Sequence, residues 1–180
     1  VLVDVLKILR HGVVAYNDTR ECISEILHAY HSPWRPFKGI KRVIFAATKA
    51  DHATKSYRPN MTRLLDELIS KAKGPIVNGV AIEKSEWFTS VRATSDGRSE
   101  WDGRPCEVLI GTMKGNTGQV IKYYPGVVPA EWPGNDEWVL DNRAYNFPEF
   151  EPLQLAKRDG AALPHLNLDR IIWKVLKGCF

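Results

Sequence analysis

The apolar positions divide the chain into two unlike halves. Val1-Leu2-Val3-Asp4-Val5-Leu6 is a short, nearly continuous apolar run, the pattern of a strand covered on both faces. A turn containing Gly12 follows. Asp18-Thr19-Arg20-Glu21 then reads as a capping box, with the Asp18 carboxylate accepting a backbone N–H and Glu21 reaching back. Cys22, Ile23, Ile26, Leu27 and Tyr30 share one helical face until Ser32-Pro33-Trp34-Arg35-Pro36 breaks the helix. Val43 to Ala47 predicts a second buried strand and Thr48 to Pro59 a loop. Leu64, Leu65, Leu68 and Ile69 form the face of another helix, closed by Gly74-Pro75. Val77 to Ile82 has a strand pattern interrupted by Gly79, and Trp87 to Val91 an uninterrupted one. Strands alternating with amphipathic helices predict an α/β unit with a mostly parallel sheet.

The second half changes character. Ser95-Asp96-Gly97-Arg98-Ser99 reads as a loop, and Cys106–Ile110 and Gln119–Tyr123 as two strands joined in a hairpin through Gly115-Asn116-Thr117-Gly118. Residues 125–152, rich in Pro, Trp, Asn and Asp, lack periodicity and are expected to be irregular. The six tryptophans are mostly expected to be core or packing anchors, though Trp132 and Trp138 within this stretch could instead form a partner surface. Leu168, Ile171, Ile172, Val175 and Leu176 mark a final helix ended by Gly178. The expected division is an α/β unit over 1–95 and an extension over 96–180.

Composition narrows the classes. The 180 residues carry 44% hydrophobic and 26% charged residues and a net charge of +4, ordinary for a folded protein. The positive charge is mild and spread out, so no nucleic-acid partner is implied. No apolar run is long enough for a membrane span. Cys22, Cys106 and Cys179 are too scattered for a disulfide framework or a zinc site, which favours a reducing compartment. Cytoplasmic location is expected, with attachment to a membrane surface as the alternative. Because Val1 already lies in a strand pattern, the chain is expected to be a fragment of a longer protein.

Three groups of residues could carry chemistry. Thr48-Lys49-Ala50-Asp51 directly follows a buried strand, and ligands of open α/β sheets bind beyond the carboxyl ends of strands. A carboxylate there can accept two parallel hydrogen bonds from guanine's ring N–H and amine, a pair that adenine lacks; such a contact discriminates by about 1–3 kcal/mol. The Lys49 stem could cover the base. The plainer alternative is that Lys49 and Asp51 are solvated loop charges. Ser90-Val91-Arg92-Ala93-Thr94 ends the later strand; a backbone N–H there could meet guanine's keto oxygen, and Arg92 could stack on the base. Asp4, near the end of the first strand, could hold Mg²⁺ or its water, or be a strand-end aspartate only. Gly-x-x-x-x-Gly-Lys-Ser/Thr is absent from the 180 residues, and Gly111 to Gly118 reads as a turn. The five histidines have no metal-ligand spacing, and no Gly-x-Ser-x-Gly elbow occurs.

Together these segments resemble the C-terminal part of the YcjX family, bacterial stress-associated proteins with a Ras-like GTP-binding domain. The stretches that carry the resemblance are Val1–Leu6, Arg42–His52, Ser90–Thr94 and Leu163–Arg170, which span nearly the whole chain. The resemblance implies a partial Ras-like P-loop NTPase fold without its phosphate-loop strand, followed by a hairpin, an irregular segment and a terminal helix. It implies GTP or GDP with Mg²⁺ as ligands. Thr48, Lys49 and Asp51 would read guanine, Ser90, Val91 and Arg92 would close around the base, and Asp4 would serve the Mg²⁺, through water. Slow GTP hydrolysis would belong to the full-length protein. Two departures stand out: Thr48 occupies a position where many GTPases carry Asn, and Lys7 stands where an Asp-x-x-Gly pattern would place its glycine.

In Ras-like sheets the phosphate-loop strand lies between the strands that carry Asp4 and Thr48. Without it these two strands must pair with each other or remain open. Two other readings stay in play: an interaction module in which residues 125–152 bind a protein or membrane-surface partner without nucleotide, and an ATP-using relative. The isolated 180 residues are expected to aggregate readily and to bind guanine nucleotide negligibly. Titration with labelled GDP checks this, and micromolar binding would refute it.

Overall fold

Asp4 ends one element and begins the next. The computed structural model describes residues 1–31, 42–73, 81–115, 118–134, 138, 145, 147–153 and 163–177. Strand β1 is only Leu2–Val3, and helix α1 runs Val5–His31. The apolar run up to Leu6 is therefore not one strand. Val5, Leu6, Ile8 and Leu9 are all buried, a helical spacing. The Asp4 carboxylate caps this helix by accepting the Lys7 N–H at 3.0 Å.

The helix start expected at Asp18 is corrected accordingly. Asp18 lies exposed inside α1. The Thr19 hydroxyl next to it donates back to the Ala15 carbonyl at 2.7 Å. Burying Val5 to Leu9 requires helix from Val5 onward, so the earlier aspartate becomes the cap. The interruption expected at Gly12 is present: α1 is two helical segments joined at a kink, where Gly12 takes φ 76° and ψ −157°. The Pro-rich break at 32–36 and the Gly74-Pro75 stop lie outside the described residues.

The expected parallel sheet forms in small pieces. β1 pairs in parallel with β3 (Ala46–Ala47), Leu2 opposite Ala46 and Val3 opposite Ala47. β3 pairs onward with β5 (Glu86–Trp87), also in parallel. The strands carrying Asp4 and Thr48 thus join each other directly, while the Leu2 side chain stays 66% exposed. β2 (Arg42–Val43) pairs in parallel with β4 (Ala81–Ile82). The register slips by one residue between Val43↔Ile82 and Ala46↔Glu86. That bulge splits the continuous strand expected over Val43 to Ala47.

Beyond β3 the loop expected to reach Pro59 is tighter than its composition suggests. Ala50–His52 and Lys55–Tyr57 are single 3₁₀ turns, and helix α2 (Arg58–Ala72) starts with Pro59 in its first turn. Met61, Leu64, Leu65 and Leu68 of α2 are fully buried against a core that includes Val5, Leu9, Ile23 and Phe45.

Strands β6 (Thr94–Trp101), β7 (Arg104–Thr112) and β8 (Val120–Tyr123) form an antiparallel meander. The β7–β8 hairpin is the expected one. The loop expected at Ser95–Ser99 is instead most of β6. Its residues are polar but alternate, with Asp96, Arg98 and Glu100 exposed. The missed signal was Asp102-Gly103, a two-residue turn with φ 52° and 71° that pairs Trp101 with Arg104. The final helix α3 (Leu168–Leu176) lies where expected.

Among the described residues of 125–152, Val128, Trp138 and Phe147 are buried in the core. The Trp132 indole N–H donates to the Leu64 carbonyl at 2.7 Å. The Tyr16, Trp132 and Trp138 rings pack with centroids 5.0–6.0 Å apart. Trp132 and Trp138 are therefore packing residues and not a partner surface. Among the described residues, no helix is long and apolar enough to cross a membrane.

Gly111 lets three segments meet. A Cβ there would lie 2.9 Å from the Ala93 carbonyl oxygen and 3.1 Å from a Phe150 ring carbon. Gly111→Ala is expected to destabilise the protein by about 1–3 kcal/mol, because a backbone oxygen cannot swing aside. Gly97→Ala should cost less, since its nearest neighbour is the Ile110 Cδ1 at 2.6 Å, the end of a side chain. Chemical-denaturation midpoints of the two variants check the order.

Candidate functional site

The carboxyl ends of β3 and β5 open into a cleft of about 1020 Å³. Thr48, Lys49, Asp51 and His52 line one side; Phe88, Thr89, Ser90, Val91 and Ala93 line another. The far wall comes from the extension, where Phe150 bridges to Met113 and the Glu151 N–H donates to the Thr112 carbonyl at 2.8 Å. Five of the seven expected site residues therefore converge: Thr48, Lys49, Asp51, Ser90 and Val91. Arg92 does not line this cleft. Its Nε donates to the Thr94 carbonyl at 3.2 Å, and its guanidinium lies 3.8 Å from Asp96. Asp4 also lies outside the cleft wall but touches the site through Lys49.

Asp51 is 1% exposed, and its carboxylate is held entirely from within. Oδ1 accepts the Thr89 hydroxyl at 2.9 Å, while Oδ2 accepts the Ala93 and Thr94 N–H groups at 2.6 and 3.2 Å. Its main chain is tied too: the N–H donates to Thr89 Oγ1 at 3.0 Å, and the carbonyl accepts the Thr94 hydroxyl at 2.5 Å. Three of the carboxylate's roughly four acceptor positions are filled. The reading of Asp51 as a solvated loop charge is thereby excluded.

Lys49 precedes this turn with a left-handed backbone, φ 56° and ψ 36°. A non-glycine residue held there stores backbone strain of order 1 kcal/mol or more. Its ammonium meets Asp4 Oδ2 at 2.9 Å. That hydrogen bond, ahead of opposing burial, raises the Lys49 pKa above its ordinary value. Asp4 thus caps α1 with one oxygen and pairs with Lys49 through the other.

His52 is the functional candidate that sequence reasoning passed over. It packs edge-on against Phe150 with centroids 5.5 Å apart and is 8% exposed. Burial lowers its pKa, outweighing the attraction of Asp51. The signal available in the sequence was its place beside Asp51; the contact that buries it comes from residue 150.

The chain matches the YcjX-like family, DUF463, over residues 1–179, and it belongs to that family. It is 34% identical over 176 residues to "Ras-like GTPase YcjX" of Escherichia coli (strain K12), a match covering 94% of this chain and 37% of that protein. It is 26% identical over 181 residues to "Ras-like GTPase YcjX" of Shewanella oneidensis, covering 96% of this chain and 36% of that one. The chain thus spans little more than a third of the length of these relatives.

A buried neutral imidazole makes stability depend on pH. The folded pKa of His52 lies below its unfolded value of about 6.5, so the unfolded chain binds the proton first. The contribution is complete above pH 6.5 and is lost as pH falls from there toward the folded pKa. Between pH 7.5 and 5.5 the wild-type protein should lose up to about 1.4 kcal/mol more stability than His52→Phe, by linkage of one proton. Parallel denaturation midpoints of the two proteins at both pH values check this.

Proposed function

We propose that this member of the YcjX-like family supplies the base-reading side of a guanine-nucleotide site in a longer, GTP-hydrolysing protein. The observation that carries the reading is the position of Asp51, on the wall of a cleft at the carboxyl ends of two parallel strands. The name "Ras-like GTPase" borne by both relatives supports it. In this reading Asp51 takes guanine's ring N–H and amine. Oδ1 keeps one acceptor position for the first donor; the second requires the Ala93 and Thr94 N–H groups to yield Oδ2. Base binding is thus coupled to a shift of the segment after β5. Ser90 and Val91 border the base, and Arg92 reaches it only by leaving Asp96.

The phosphates must be held by residues of the longer protein, since no phosphate-cradling glycine motif occurs in these 180 residues. Lys49, 48% exposed at its side chain, is free to swing from Asp4 toward them. Among the described residues no cluster of three or more His, Cys, Asp or Glu side chains could cage a metal ion. Mg²⁺ keeps most of its ligands as water and phosphate oxygens. Asp4 would hold one of those waters through Oδ2, its other oxygen staying on the Lys7 N–H. The ion would supply neutralisation of phosphate charge. The stress-associated, cytoplasmic setting implied by the resemblance is part of the same proposal.

Asp51→Asn in the full-length protein tests the reading. Asparagine offers one donor and one acceptor in place of two acceptors, a pattern matched by xanthine and not by guanine. GDP affinity is expected to fall at least about tenfold while xanthosine diphosphate affinity rises. Competition against labelled GDP measures both. Displacement by ADP as effective as by GDP, or an unchanged nucleotide preference in the variant, would overturn the proposal.

A further inference from the structure

Arg58 opens α2 and is 3% exposed, yet it faces the loop after β3 and not the helical core. Its Nε donates to the Ala50 carbonyl at 2.9 Å and to the Ala53 carbonyl at 3.2 Å. These two carbonyls bracket the single turn that carries Asp51. Its Nη2 meets Asp96 Oδ1, on β6, at 2.6 Å. The guanidinium carbon sits 5.9 Å from the centre of the Trp87 ring, at the end of β5. One side chain thus touches the turn after β3, the end of β5 and the start of the hairpin.

A buried guanidinium is not a cheap way to fill space. Desolvating it is costly, and an apolar side chain of similar volume commonly serves stability as well or better. What an apolar residue cannot do is donate to both ends of a turn and hold a carboxylate on another element. The planar fork of arginine can, because it keeps a fixed angle between the donor aimed at the turn and the donor aimed at Asp96. We propose that Arg58 is a positioning residue for base recognition, holding the Asp51 turn in register and coupling it, through Asp96, to the β6–β7 hairpin. As far as it concerns the base, this rests on the guanine reading above.

The test uses the full-length protein with Arg58→Lys, Arg58→Met and Asp96→Asn. Lysine keeps the charge but carries its donors on a single nitrogen, without the rigid fork that spans the turn and Asp96. Two readouts separate positioning from plain stability. The first is the ratio of GDP to inosine diphosphate affinity, because the two bases differ only in the amine that Asp51 would read. The second is backbone hydrogen exchange in residues 50–53 and 93–94, compared with residues 61–69 inside α2.

Loss of a charge-assisted contact of this kind corresponds to about a tenfold effect. The ratio is therefore expected to fall about tenfold in Arg58→Lys. Exchange should quicken in 50–53 and 93–94 and stay unchanged in 61–69. Asp96→Asn should shift both readouts in the same direction by less. Unchanged exchange in these segments, or exchange that quickens equally in α2, would overturn the proposal. So would a constant affinity ratio in a protein that prefers GDP. If Arg58→Met fails to fold, Arg58→Lys decides. A wild-type protein that binds both diphosphates equally overturns the guanine reading alone, and exchange then decides the role of Arg58.

Discussion

A buried carboxylate organises this molecule. Asp51 is removed from water, and an ionised group there is tolerable only if donors replace the lost hydration. They come from residues far along the chain: the Thr89 hydroxyl beyond β5, and the Ala93 and Thr94 amides where β6 begins. Satisfying one charge therefore fuses the loop after β3 to the end of β5 and to the first strand of the meander. The parallel pieces are only two residues long each, too short to fix their ends precisely by ladder hydrogen bonds alone. Asp51 supplies the constraint that the short ladders lack.

The meander is docked by a second set of polar contacts around the same loop. Ser56 donates its N–H and its hydroxyl to the two oxygens of Glu107 on β7, at 3.1 and 2.8 Å. These bonds lower the Glu107 pKa below its ordinary value. Arg58 and Asp96 form the parallel contact to β6. On the cleft side Ala93, Leu109 and Phe150 make a small apolar cluster of their own, reached through the gap at Gly111. Lys114 and residues 149–152 thus form a wall of the cleft. Residue 150 closes over His52 because Gly111 leaves room for its ring.

Charge helps to place α3 beside the cleft. Glu86, 7% exposed, meets Lys174 at 2.5 Å and Arg170 at 3.1 Å. The Asn167 amide reaches the Trp87 carbonyl, and Leu166 pairs with Thr89 in an antiparallel bridge. Leu168 and Ile171 of this helix face the cleft and Lys174 faces Glu86, while Ile172, Trp173 and Leu176 are exposed. Glu86 is buried, so removing Lys174 and Arg170 would leave its charge uncompensated.

Much of the architecture was legible from apolar spacing and turn chemistry. The β7–β8 hairpin, α2 and α3 all declared themselves, and the polar cluster beyond a buried strand pointed to the cleft. Even Asp102-Gly103 carried a hairpin signal, hidden because β6 has no large apolar residue before Trp101. Which aspartate caps α1 depended on competition between Asp4 and Asp18, decided by the burial of Val5 to Leu9 in a core assembled from distant segments. The fates of Asp51, Arg92 and Arg58 lay further still from the sequence, since each depends on donors or acceptors from other segments of the chain. Local patterns report what a segment can form by itself; where a charged side chain ends up depends on which unpaired groups the folded chain brings within about three ångströms of it.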